Sequence, residues 1–126
     1  MAFTKLIVVC VLLVVVFGKS IKTPSVKSDV HNIDLCLGSA NNLAYQTQVY
    51  EKGKFLQTIT ETRKFPSEGV TNDKKITCIY VDDLIGNNQG GYPNIETGGI
   101  GATHVTISMV SQFCKGMGFI ISIYTE

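Results

Sequence analysis

Residues 86–101 hold six glycines, and the densest run, Gly98-Gly99-Ile100-Gly101, leads straight into alternating apolar residues. A glycine-rich loop can turn its backbone amides toward a phosphate. The P-loop version also needs a lysine next to a serine or threonine, because the ammonium reaches the phosphates. Gly98 to Thr103 contains no lysine. The dinucleotide version needs a strand before the glycines and a helix after them. Here the following residues read as a strand. Gly98, Gly99 and Gly101 are therefore read as structural glycines, permitting a positive φ or a bulge ahead of a sheet strand.

Three other groupings could carry chemistry. Asp82, Asp83, Asn87 and Asn88 make an oxygen-rich stretch. Calcium loops of the EF-hand type space their acids at alternate positions and end on a glutamate, which is not the pattern here. Turn formation accounts for the same residues. His104 and Ser108 fall on one face of a strand, but a catalytic triad also needs an orienting carboxylate and an oxyanion hole. Asp82 and Asp83 are adjacent, so on a strand their carboxylates point to opposite faces rather than into one cleft. We expect no catalytic residue, no metal site and no cofactor.

Cys10 belongs to the opening apolar segment, which leaves Cys36, Cys78 and Cys114. Each is more than thirty positions from the next, unlike the short paired spacings of structural zinc. Three cysteines allow three different single bridges. Cys36 (DLCLG) and Cys78 (ITCIY) share apolar, strand-like surroundings, whereas Cys114 (SQFCKGMG) sits in a hairpin-tip sequence. A Cys36–Cys78 bridge is expected, with Cys114 spare, either as a free thiol or as the link of a disulfide-bonded dimer.

The chain opens MAFTKLIVVCVLLVVVFGKS. Lys5 precedes about 12 apolar residues, short of the ~20 that span a bilayer. Val16 and Gly18 place small residues before a cut, the layout of a secretory signal peptide over residues 1–18. Cleavage after Gly18 is preferred, after Ser20 second. The full chain carries 11 Lys and Arg against 10 Asp and Glu. Losing Lys5 leaves ten of each, with no basic stripe, so direct nucleic-acid binding is not expected. No later apolar run would hold the mature chain in a membrane. The secretory route is oxidising, in keeping with a disulfide.

The elements that would position these groups read as strands. Residues 19–32 are polar and aperiodic, a flexible leader, and residues 33–126 form one domain. Strands are expected over residues 33–37, 44–50, 55–62, 75–84, 104–111 and 118–124. The second and third flank the turn Glu51-Lys52-Gly53-Lys54 and are expected to pair as a hairpin. Val105, Ile107 and Met109 alternate onto one face, as do Phe119, Ile121 and Ile123. The pattern predicts an all-β domain of six or seven antiparallel strands, arranged as a two-sheet sandwich.

The C-terminal third carries the pattern G-G-Y-P-N-I-x-x-G-G-I-G-x-x-x-V-T-I-x-x-x-S-Q-x-x-x-G-x-x-F-I-I-x-I-Y. It resembles the multiprotein bridging factor two family, small and mostly secreted arthropod proteins. Gly98, Gly99, Gly101, Val105, Ile107, Ser111, Gln112, Gly116, Phe119, Ile123 and Tyr124 carry the resemblance. It runs from about Ile76 to Tyr124, with Leu37-Gly38 similar to an early Leu-Gly of the family. Residues 41–75 match only in strand pattern. Where the family implies a basic pair such as Arg-Gly after Ser-Gln, this chain has Phe113-Cys114. The resemblance brings no catalytic residues. It implies a protein of saliva, venom or haemolymph, and the family name itself comes from transcriptional co-activation. The reading expected first is a secreted, extracellular, non-enzymatic domain that binds an unidentified protein. The alternatives are a co-activator bridging a DNA-bound factor to the transcription machinery, and a carrier of a small apolar ligand.

Overall fold

The computed structural model describes residues 30–126. The expected signal peptide and most of the expected leader lie outside the described residues. Seven antiparallel strands follow: β1 (Ile33–Cys36), β2 (Leu43–Glu51), β3 (Thr60–Phe65), β4 (Ile76–Asp83), β5 (Tyr92–Gly98), β6 (Val105–Val110) and β7 (Met117–Thr125). They form two open sheets, one ordered β1-β4-β7-β2 and the other β3-β6-β5. The all-β, two-sheet expectation holds.

Burial follows alternation. Val105, Ile107 and Met109 of β6 face Phe119, Ile121 and Ile123 of β7, and all six are at most 1% exposed. Val49 of β2 and Ile79 and Val81 of β4 complete this layer. Removing such apolar surface from water is the main favourable term in folding, about 25 cal/mol per Å². β4 and β7 are each flanked on both sides, which explains their long apolar runs. Their outer faces are partly shielded by side chains such as Tyr80, stacked edge-on against Tyr124 at 5.9 Å. The isoleucines, valines and phenylalanines that could have lined a ligand cavity pack against one another here.

The disulfide joins Cys36 to Cys78, the expected pair. These are directly opposed positions of β1 and β4, so the bridge fastens a four-residue edge strand to its neighbour.

Four expectations are corrected. The hairpin of β2 with β3 does not form: β2 pairs with β7 in one sheet and β3 with β6 in the other. Residues 52–59 instead cross between the sheets, with Leu56 at φ 55°, and β3 starts at Thr60 rather than Phe55. Second, Tyr92 to Gly98 forms a strand that the proline and glycines had disguised. Pro93 is tolerated because β5 is an edge, where a missing N–H need not break a ladder. Third, the end of the leader is docked. His31 Nδ1 donates to Gly91 O at 2.9 Å, the ring stacks on Tyr92 at 5.1 Å, and Asn32 Oδ1 accepts the Asp83 N–H. Fourth, Cys114 is not a spare thiol, since no cysteine among the described residues is free. Its sulfur also accepts the Leu56 N–H at 3.2 Å, and its own N–H donates to Gln57 O. The tip of the β6–β7 connection thus doubles as a clamp on the crossing segment.

Candidate interaction site

Three amides of the glycine loop are already committed within the protein. Gly99 N–H donates to His104 O, Ala102 N–H to Gly99 O, and Gly101 N–H to Ile76 O. Ile76 N–H in turn donates to Ala102 O at 2.8 Å. The loop that closes the β5–β6 hairpin of one sheet is therefore sewn to the first residue of β4 in the other. Gly98 is required twice over. Its φ is +72°, and a Cβ there would collide with the His104 carbonyl, so any other side chain would be strained. His104 itself is exposed at the edge of this turn.

Asp83 does turn chemistry. Its carboxylate accepts the Ile85 N–H at 3.1 Å and the Gly86 N–H at 2.9 Å. Asn87 and Asn88 both adopt positive φ, the conformation asparagine tolerates best after glycine. Among the described residues no three His, Cys, Asp or Glu side chains converge as a metal site.

What the fold assembles instead is a groove at one end of the sandwich. It is formed by the end of β2, the turn after it, the β4–β5 loop and the β6–β7 tip. Tyr50, Glu51, Lys52, Gly53, Ile85, Gln89, Lys115 and Gly116 line about 230 Å³. Small-molecule pockets usually enclose about 300–1,000 Å³, so an open groove of this size suits surface contact better than ligand capture. Tyr50 is 64% exposed, and Tyr50, Leu84 and Ile85 stand around Gly118, whose missing side chain leaves the floor between them low. Lys52 and Lys115 bring positive charge beside Glu51. Lys115 Nζ donates to Gln89 Oε1 at 2.6 Å, which holds the ammonium across the groove.

The groove explains several of the singled-out residues. Ser111 Oγ accepts the Ile59 N–H at 2.7 Å and donates to Gln112 O. The Gln112 amide donates to Asn88 O and Gly90 O at 2.8 and 2.9 Å. This Ser-Gln pair, standing between β6 and β7, ties down the crossing segment on one side and the β4–β5 loop on the other. Gly116 packs its backbone against the Glu51 carbonyl and Gly53, leaving no space for a Cβ. Val105, Ile107, Phe119 and Ile123 serve the core, and Tyr124 partners Tyr80 on the outer face. Sequence alone had no means to bring Tyr50, Ile85 and Lys115 together, because they lie on β2 and on two separate connections.

The role of Gln112 is testable. Gln112→Ala removes both loop bonds and is expected to cost about 1–2 kcal/mol. Amide exchange should quicken across residues 84–91 while β7 stays protected; uniform acceleration along the chain would contradict local tethering.

Comparison with known proteins agrees with the fold's signature residues. A family model described as "Transcription activator MBF2" matches residues 38–125. A "Probable salivary secreted peptide" from Bombus ignitus is 32% identical over 86 residues, 68% of this chain and 62% of that protein. The chain thus spans less than two thirds of that relative's length. No solved structure gives a significant match. With the family pattern now placed in the core, in the glycine turn and in the Ser-Gln tether, the chain belongs to the MBF2 family.

Proposed function

We propose that the protein is a secreted, non-enzymatic β-sandwich that acts in extracellular fluid by binding another protein. The observation that carries this reading is the Cys36–Cys78 disulfide, a bond that persists in oxidising compartments and is rare in the cytosol. The apolar opening segment supports it, as does similarity to a relative named as a salivary secreted peptide. The groove at Tyr50, Ile85 and Lys115 is the contact surface assigned to this role. An exposed aromatic beside an aliphatic floor, rimmed by charge, matches the make-up of protein interfaces. Expression of the full chain in cultured cells tests the compartment. The expected product is in the medium, with residues 1–18 removed; an uncleaved protein confined to the lysate would sink the proposal.

The family's description favours a second reading, an intracellular co-activator working through protein contacts. The same cell experiment separates the two. A nuclear pool together with reporter activation by the domain would favour the second.

A further inference from the structure

A sheet edge presents unpaired N–H and C=O groups, and natural proteins blunt such edges with charge, proline, bulges or brevity. Three of the four edges here are blunted, each differently. β1 has only four residues. β5 carries Pro93 and a register shift between Ile95 and Thr97. β3 turns Arg63 and Glu61 inward as an ion pair at 2.9 Å, and the Arg63 guanidinium also donates to the carbonyl of Thr62. The hydrogen bond from Arg63, joined by one from the Glu51 side chain, holds the Glu61 carboxyl below its ordinary range.

β2 is the least blunted of the four. It is nine residues long, pairs only with β7, and carries no charge before its last residue. Its one irregularity lies at its start, between Leu43 and Tyr45. Among the described residues no loop backbone bonds to it from the open side. The core below it is already closed by Val49. Among the described residues the open edge therefore offers about 30 Å of strand backbone with no neighbouring strand on that side.

We propose that β2 pairs antiparallel with β2 of a second copy, joining the two four-stranded sheets into one across a two-fold axis near Thr47. The strand is suited to itself. A two-fold at Thr47 sets Gln46 opposite the second copy's Gln48, an uncharged pair able to exchange side-chain hydrogen bonds, and every contact occurs twice. It also separates the two Glu51 side chains by eight positions, about 27 Å along the strands, so the only charge on the strand does not oppose itself.

Sedimentation velocity and native mass spectrometry of the purified protein, over a wide concentration range, test the proposal. The expected result is a reversible dimer that falls to monomer on denaturation without reductant. Gln46→Lys/Gln48→Lys should weaken self-association about tenfold or more, while the monomer, though it loses the Gln46 Nε2 bond to Ser122 Oγ, still unfolds in one cooperative transition. Gln46→Glu/Gln48→Glu should do the same. An equimolar mixture of the two variants should recover a one-to-one heterodimer. Three outcomes overturn the proposal: a wild-type monomer at all concentrations, variants that dimerise as the wild type does, or a dimer surviving denaturation until reduced. A monomer that instead captures an extended peptide would also overturn it, assigning the edge to a foreign strand.

Discussion

Replacing both bridge cysteines, Cys36→Ala/Cys78→Ala, is expected to lower unfolding free energy by about 4 kcal/mol. The residues lie 42 positions apart, and closing a loop of that size restricts the unfolded chain by about this amount in the entropy model. For a domain near 100 residues, each kcal/mol moves the melting midpoint by about 4–8 °C, so a fall of roughly 15–30 °C should appear by calorimetry. A second effect adds to the first. β1 is short and outermost, so without its covalent tie it should fray before the rest of the sheet. Amide exchange at Leu35 and Cys36 ought then to quicken more than at Ile121. If the melting midpoint moves by only a few degrees, the bridge is an ornament on an already stable sheet.

The core should respond as strongly. Phe119→Ala removes a fully buried ring from the middle layer, and such truncations typically cost about 3–5 kcal/mol because the cavity only partly collapses. Ile120, the next residue, points to the outer face and is half-buried. Ile120→Ala is expected to cost about 1 kcal/mol. Urea unfolding of the two variants makes the comparison, and equal losses would contradict the side-to-side alternation on which the sandwich rests. Since whole domains are stable by only about 5–15 kcal/mol, Phe119→Ala combined with loss of the bridge should leave little or no folded protein.

How far the sequence disclosed this architecture depended on whether the determining interaction was local. The facing of β6 and β7 could be read because alternation is a property of one segment at a time. Val105, Ile107 and Met109 needed no knowledge of their neighbours to be placed inward. The Cys36–Cys78 pair was legible for a related reason, since both lie in apolar strand sequences. Strand pairing was not. Nothing within residues 44–62 states that β2 belongs beside β7 and β3 beside β6; tertiary pairing overrode a turn sequence that looked sufficient alone. β5 was hidden because Pro93 and Gly98 are breakers in a central strand but acceptable at an edge. His31 was assigned to a flexible leader because its stacking partner, Tyr92, lies sixty-one positions on.

The site was the least legible part. Gln112 and Ser111 could be picked out as part of a pattern, but their work as tethers depends on two loops that approach only in the folded chain. Arg63, whose charge by itself favours solvent, is turned inward with Glu61. Once the pairing is known, that orientation follows from strand parity. Arg63 stands opposite Ile107, and Ile107 faces the core.

The order of strands also sets a timetable. Among the described residues β5 and β6 are the only sequence neighbours that pair; every other ladder there joins distant segments. β7, the last strand along the chain, lies between β4 and β2 and is the partner of both. As the chain emerges from the ribosome, β2 and β4 must wait without a partner between them until the final strand is made. Sheets dominated by such long-range pairing form slowly, and unpaired strands invite aggregation meanwhile. The four-stranded sheet therefore closes only once β7 is available, whereas the β3-β6-β5 sheet and the β1–β4 pair have all their strands before it.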